Sequence, residues 1–593
     1  MPRLVLLVLM LATGCTSAVT PSVSVDGQGV AGGTLRVGIW VPDDFPEFHQ
    51  ALLDPQSFFW HPLFRCCLLR TLLSYSGQPI VDGGAQVQPD LAEALPEVSQ
   101  DGLTWTFRIR SGVRYAPPFE ERAIVARDFV TALERTVRRG ESPYYDIIAG
   151  VSEFRDGAVG TIVGVQVPDE STLVVRLTEP AGDFEHRAAL GYLAPIPAEA
   201  LAEHDDDYAG YLVASGPYML EGAEAVDHAD PDAAPSWEGT RPGELTLVRN
   251  PSWSRDTDLL RPAYAARIEV VPIADRADAI DAIADGEFDV MLDPLLASTR
   301  DEVAADPALR SRLREAPLPN AFFIPLNVAQ PPFDDLAVRR AVNLVIDRAA
   351  LSATFDPERA SAFVPAGHAF PDVVEAGLLR DYAPFETPDG SGDPRRAREE
   401  MALSRYDTDG DGRCDGESCA VTANQFGVTT ESALEIIRTN LAELSIEVSY
   451  VAEPSMADPA AHVAFAAVFG WGADYPSAND FVGLAMAPAA VDNLNFSLVG
   501  ATPNQLAEWG YTTEEVPSLD DKAESCAVRS GSAGFACWAE LDQLLTDQVV
   551  AWVPVATSVG AWLISERVDR FEVAGSEAVP ALDRISLRPE AAP

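Results

Sequence analysis

Asp407, Asp409, Asp411 and Asp415 fall at alternate positions, with Arg413 completing the series and Gly410 and Gly412 between them. Hard oxygen ligands spaced in this way around a glycine turn are how a chain builds a calcium cage, because the turn folds the alternate carboxylates inward. Asp407, Asp409 and Asp411 would give side-chain oxygens, Arg413 its backbone carbonyl, and Asp415 a carboxylate directly or through water. The twelfth position of the loop is Ser418, where an EF-hand carries a bidentate glutamate, and Glu417 beside it is an imperfect substitute. The same residues also read as a solvated acidic turn held by Cys414 and Cys419. A calcium ion here would be structural.

The cysteines carry a second kind of chemistry. Met1-Pro2-Arg3, an apolar run from Leu4 to Ala12, and Thr13-Gly14 precede Cys15, the layout of an export signal (residues 1–14) cleaved before a lipid-accepting thiol. Two or more acyl chains on Cys15 would anchor the mature chain to the outer face of the cytoplasmic membrane, since one chain holds only weakly. The other reading is an ordinary secretion signal with an incidental cysteine. The remaining six cysteines are an even set in an exported chain, which points to bridges. Cys414 with Cys419 and Cys526 with Cys537 are near neighbours, and loops of that length add roughly 2 to 3 kcal/mol when geometry permits. Cys66 and Cys67 read equally as buried thiols and as a bridge between neighbours.

Catalytic sets are missing from the pattern. There is no Gly-x-Ser-x-Gly elbow, no His-Glu-x-x-His helix and no Cys/His spacing suited to zinc, and the seven histidines are scattered. A net charge of −49 opposes a nucleic-acid partner, which needs clustered cations. Lys522 is the only lysine, so chemistry resting on a lysine has almost nothing to use. With 593 residues, 47% of them hydrophobic, the chain can bury several cores.

The elements that position these residues follow from periodicity. Val19 to Gly33 lacks any and reads as a tether, residues 15–33. Leu103, Trp105, Phe107 and Ile109 alternate with polar residues, predicting a strand; Val163 to Val167 and Leu173 to Leu177 flank Pro168-Asp169-Glu170-Ser171, predicting a hairpin. Ile268 to Ile273 predicts a strand, Asp275 to Asp285 a helix, and Phe288 to Leu292 another strand, a unit that favours a mixed or parallel sheet. Val338 to Ile346 has helical spacing behind Asp334 or Asp335 as a cap. Leu434 to Leu444 has the same spacing before a strand at Ile446, Val448 and Tyr450. Gly222 to Gly243, acidic and proline-bearing, reads as a surface insertion.

An ordered series of short motifs then runs through nearly the whole mature chain. It comprises Gly33-Thr34-Leu35-Arg36-Val37-Gly38, Pro89-Asp90-Leu91-Ala92-Glu93, Asp101-Gly102-Leu103-Thr104-Trp105-Thr106-Phe107 and Ala126-Arg127-Asp128-Phe129-Val130. It continues with Ser215-Gly216-Pro217-Tyr218, Arg249-Asn250-Pro251, Val338-Arg339-Arg340-Ala341 with Ile346-Asp347-Arg348, and Trp471-Gly472-Ala473-Asp474-Tyr475-Pro476. In this order they resemble the solute-binding proteins of bacterial peptide-type ABC importers, extracellular solute-binding protein family 5.

The resemblance implies an α/β, periplasmic-binding-protein-like fold of two lobes with mixed sheets and an additional α+β domain. Residues 34–78 with 212–318 and 556–593 would form lobe I, residues 79–211 the additional domain, and residues 319–555 lobe II. It also implies a ligand site at Asp474, whose carboxylate would receive the α-ammonium of a peptide, with Trp471 and Tyr475 as flat walls. The implied partners are a peptide or other small solute and an ABC permease with its ATPase subunits, acting on a monomer tied to the membrane by lipid, with no nucleic acid and no cofactor needed for function beyond the structural Ca2+. A sensory receptor for the same ligands and an extracellular hydrolase are the competing classes. Within the family nickel, haem, opines, sugars and glutathione are also recognised, so the ligand is left open.

Overall fold

The computed structural model describes residues 29–41, 53–55, 64–140, 143–237, 240–241, 244–355, 360–425, 430–452, 458–485 and 495–589. Its first sheet is built around the strand Thr34–Trp40, in which Leu35 and Val37 are fully buried. That strand pairs in parallel with Arg267–Ile273 on one side and Val290–Met291 on the other, and Leu245–Arg249 and Tyr218–Leu220 extend the sheet antiparallel. The result is the mixed sheet that the alternating pattern predicts. The helix between the two parallel partners is shorter than its periodicity, Ala279–Ala284. Asp275 accepts from Ala277 N at 2.8 Å, so the first predicted turn of helix is spent in a side-chain-closed turn instead. The second predicted strand is likewise reduced to Val290–Met291.

A separate four-stranded antiparallel sheet has the order Glu97–Val98, Thr104–Arg108, Thr172–Arg176, Val165–Asp169. The predicted hairpin is its far edge, closed by Asp169, whose Oδ1 accepts from Ser171 N at 2.9 Å. Trp105 and Phe107 are buried on the predicted strand and belong to the same apolar core as Phe129, Val130 and Leu133 on the buried face of the helix Ala126–Arg139.

The second body is organised by one long strand, Trp552–Leu563. Its beginning pairs with Asn320–Pro325 and its end with Leu313–Pro317, both antiparallel, while Ala362–Pro365 adds to its middle. One long strand therefore ties together segments that lie more than two hundred positions apart in sequence. Beside it, Ala420–Gln425, the helix Glu431–Ala442 and Glu447–Ala452 form a parallel β-α-β unit, with Phe465–Ala466 as third strand. The helix Leu336–Val345 begins where predicted, with Asp335 accepting from Ala337 N at 2.8 Å. The fold is thus two α/β lobes with mixed sheets and an added α+β domain.

Several motif residues have plain structural causes. A side chain at Gly216 would meet the Cys67 carbonyl oxygen at 2.3 Å, so only glycine fits there. Asp90 lies at the centre of a buried charge cluster: Arg70 Nε donates to its Oδ1 at 2.7 Å and Arg261 Nη2 to its Oδ2 at 2.9 Å. Asp258 completes it, 3.2 Å from Arg261 and 3.8 Å from Arg70. Arg348 is buried against backbone, donating to the carbonyls of Pro554 and Asn343 at 2.6 and 2.8 Å. The expected surface insertion is half exposed over residues 222–237, and His228 pins it down, with Nε2 3.0 Å from the Tyr211 carbonyl.

Candidate functional site

Asp474 leaves the edge strand Phe469–Gly472, which pairs with Asn320–Pro325, and precedes the helix Asn479–Ala485. The turn between them is closed by Asp480, whose Oδ2 accepts from Asp474 N at 3.0 Å and from Trp471 Nε1 at 3.2 Å. One buried carboxylate thereby orients both residues. Asp474 and Trp471 are half-buried, so both keep some contact with solvent. Across from them, Tyr144 donates its hydroxyl to Asp474 Oδ2 at 2.6 Å. Among the described residues Asp474 Oδ1 receives no protein hydrogen bond.

Tyr475 is the residue expected as the second flat wall. It is buried, and its hydroxyl donates to Asp183 Oδ2 at 2.8 Å. Asn479 Nδ2 and Arg187 Nη2 donate to the same oxygen, each at 2.9 Å, and Arg187 Nη1 donates to the Tyr144 carbonyl at 2.9 Å. Tyr475 meets Tyr144 edge to face at 5.9 Å. The Trp471 to Tyr475 segment is therefore stitched to the added domain by one aspartate and one tyrosine, with Asp474 left at the accessible end of the seam.

Electrostatics follow from this packing. Burial raises the Asp474 carboxyl, opposed by the Tyr144 hydrogen bond. Asp480 is pushed up to about 7, first by burial and then by the charge of Asp474. Burial would also raise Asp183, but Arg187, Asn479 and Tyr475 outweigh it and hold this carboxyl below its ordinary value. His186, with Nδ1 2.9 Å from the Tyr75 hydroxyl and stacked on Tyr475, is pushed down to about 4 by burial and stays neutral. The site thus holds a carboxylate in a low-dielectric wall with one oxygen open, backed by a carboxyl that titrates near neutrality.

In the acidic loop the structure brings Asp407, Asp409 and Asp415 together, their oxygens within 4.8 Å of one another. The Asp411 carboxylate is not part of that group. Asp407 accepts from Gly410 N at 2.6 Å and Gly412 N at 2.7 Å, and Asp409 from Asp411 N at 3.1 Å, so the turn is already closed by its own backbone donors. Gly410 and Gly412 have φ of 77° and 82°, the left-handed conformation that makes this tightness possible. Disulfides join Cys414 to Cys419 and Cys526 to Cys537, with Cα atoms 5.8 and 5.4 Å apart. Cys66 and Cys67 are bonded to each other in a buried turn. Cys15 and the export signal lie outside the described residues. No helix among the described residues is long and apolar enough to cross a membrane.

Sequence reasoning misses Tyr144, Asp183, Arg187 and Asp480. Asp480 alone had a local signal, an acid beginning the helix after the motif. Tyr144 and Asp183 lie 330 and 292 positions away from Asp474 and Tyr475, where no spacing rule reaches, and Arg187 is tied to Asp183 only four residues before it, a spacing that by itself says nothing of Tyr475.

The sequence profile of bacterial extracellular solute-binding proteins, family 5 (middle region) matches residues 86–493. The chain is 25% identical over 292 residues to the periplasmic oligopeptide-binding protein OppA of Escherichia coli (strain K12), covering 46% of this chain and 47% of that one. It is 26% identical over 381 residues to the glutathione-binding protein GsiB of Salmonella typhi, covering 63% of this chain and 62% of the relative. The aligned stretches span less than two thirds of either relative. In fold it is similar to the periplasmic murein tripeptide-binding protein MppA in its unliganded open form, with a TM-score of 0.70 at 17% identity, covering 94% of this chain and 99% of that one.

Proposed function

The chain belongs to the bacterial extracellular solute-binding proteins of family 5, and from that premise we propose that it captures a small solute, first of all an oligopeptide, between its lobes and delivers it to an ABC permease driven by ATPase subunits. It binds its cargo without transforming it. The observation that carries this reading is the Asp474 carboxylate, half-buried, oriented by Asp480 and Tyr144, with one oxygen open. A charge-assisted bond from an α-ammonium to it is worth roughly 1.5 to 3 kcal/mol. Trp471 supplies a flat, half-buried face beside it, while Tyr475 fixes the segment through Asp183. The oligopeptide reading follows the name of OppA; the glutathione-binding relative keeps other amine-bearing solutes in range.

In the same reading, residues 34–78, 212–318 and 556–593 move as lobe I, 79–211 as the added domain and 319–555 as lobe II, with Trp552–Leu563 as one of the crossing strands. The protein works as a monomer outside the cytoplasmic membrane, tethered by lipid on Cys15. Mass spectrometry of small molecules released from the purified protein tests the function. Peptides should be recovered, and returning one at about 100 times its Kd should stabilise the protein by about 2.7 kcal/mol. Catalytic turnover of that peptide would refute the reading.

Binding should also release a proton. Near pH 7 the Asp474 and Asp480 pair retains part of a proton because Asp480 titrates at about 7. An ammonium against Asp474 favours both carboxylates ionised, so the proton leaves and affinity rises with pH through about 7, by less than tenfold per unit. Calorimetry in buffers of different ionisation enthalpy reads the released fraction; affinity that is flat from pH 6 to 8 contradicts it.

The acidic loop is assigned a structural Ca2+, held by the carboxylates of Asp407, Asp409 and Asp415 with the Arg413 backbone carbonyl as a further ligand. The support is the convergence of three carboxylates on a loop stapled by Cys414 and Cys419. Millimolar Ca2+ should raise the melting temperature, chelator should lower it, and Asp409→Asn should abolish the difference.

A further inference from the structure

The loop after the strand Ala362–Pro365 carries His368, the single-turn helix Asp372–Glu375 ends on Glu375, and the helix Gly531–Gln543 carries Asp542. All three side chains are buried, Glu375 and Asp542 completely, and their candidate ligand atoms lie within 4.8 Å of one another. Asp542 is locked: its Oδ1 accepts from Ala369 N at 3.0 Å and the Thr546 hydroxyl at 2.7 Å, and its Oδ2 from Phe370 N at 3.0 Å. His368 Nδ1 is 2.8 Å from Asp542 Oδ2 and 4.0 Å from Glu375 Oε2. Among the described residues neither oxygen of Glu375 accepts a hydrogen bond from a donor group, and the Asp542 carboxylate is the acid it could share a proton with.

A fully buried carboxyl with both oxygens unsatisfied, beside a second buried carboxylate, costs several kcal/mol unless a cation or a proton fills the gap. The only side-chain cation in the group is His368, and it is turned to Asp542. We propose that His368, Glu375 and Asp542 form a divalent transition-metal site, of the Zn2+ class, in lobe II and separate from the Asp474 seam. Imidazole with two carboxylates is a donor set that takes zinc or manganese in preference to calcium or magnesium. Zinc with ligands at ~2.0 to 2.2 Å would draw the group together. The opposite ring nitrogen, Nε2, faces Asp372 Oδ1 at 3.6 Å, the carboxylate that would hold the tautomer leaving Nδ1 free for metal. His368, Phe370 and Asp372 also line a cavity of about 530 Å³, which gives an ion its way in. The metal would clamp the 366–377 loop to the Gly531–Gln543 helix and set that cavity wall.

Purified full-length protein, stripped with chelator and dialysed against Zn2+, is expected to retain one zinc per chain at this site and to melt higher than the stripped form. Asp372→Asn should weaken zinc roughly 10- to 100-fold. Glu375→Gln should abolish retention, whereas Asp409→Asn in the acidic loop should leave it unchanged. Loading the unaltered protein with Co2+ gives an independent readout, since absorption bands from a site with imidazole and carboxylate ligands should appear and be displaced by Zn2+. No Co2+ bands would overturn the site. So would a Glu375→Gln protein that is as stable as the stripped parent and keeps the same zinc response, the result expected if Glu375 merely holds a proton shared with Asp542.

Discussion

Asp90→Ala is expected to cost about 3 to 5 kcal/mol of stability. The substitution strands two guanidiniums, Arg70 and Arg261, each about 1% exposed, with Asp258 as their shared carboxylate. Removing one partner from such a cluster leaves an uncompensated charge in a low-dielectric interior, which is why the loss exceeds that of an ordinary hydrogen bond. The three chain segments tied by the cluster, around residues 70, 90 and 258, would separate first. Urea unfolding followed by tryptophan fluorescence reads it, since Trp253 donates to Asp258 at 2.9 Å. An exposed pair gives the contrast: Arg241→Ala, which parts from Glu244 at the surface, should leave the midpoint where it was. A loss under about 1 kcal/mol for Asp90→Ala would mean that the cluster is not what holds these segments.

Asp474→Asn is expected to weaken an amine-bearing peptide by roughly 10- to 150-fold, the equivalent of 1.5 to 3 kcal/mol. Folding should hardly change. The amide retains a carbonyl oxygen for the Tyr144 hydroxyl and the backbone nitrogen for Asp480, so the seam stays closed. The lost quantity is charge in a desolvated wall, which makes the effect larger than at the surface. Tyr144→Phe makes a useful companion, because it removes the competing donor and leaves the carboxylate; affinity should hold or rise, while Asp474→Asn lowers it.

The elements were readable from sequence wherever a local rule decided them. The hairpin over Val165–Arg176 followed from alternation around a turn with Asp169, and Asp335 capped Leu336–Val345 as its position implied. The helix before Val290 was overextended because alternation of apolar residues cannot tell whether Asp275 caps a helix or closes a turn. The mixed sheet follows from the alternation of strand and helix patterns over residues 268–292, and the two-lobed plan from the order of motifs more than from any one of them.

The candidate site was legible only in part. Trp471 and Asp474 stand on one short segment, so their spacing carries information. Tyr475 on the same segment, expected as a flat wall of the site, is buried against Asp183, 292 positions away. Tyr144 meets Asp474 across 330 positions. Such contacts arise when separately folded bodies dock, and periodicity says nothing about docking. The same holds for His368, Glu375 and Asp542: seven scattered histidines gave no metal spacing, and only packing put one of them beside two acids.

Isothermal titration with one peptide in two forms, free and N-acetylated at the amino terminus, tests the Asp474 assignment most directly. Capture through an ammonium at Asp474 predicts that acetylation weakens binding at least tenfold, and that Asp474→Asn brings the two forms close to equal affinity. Equal binding of both forms by the unaltered protein would contradict the account.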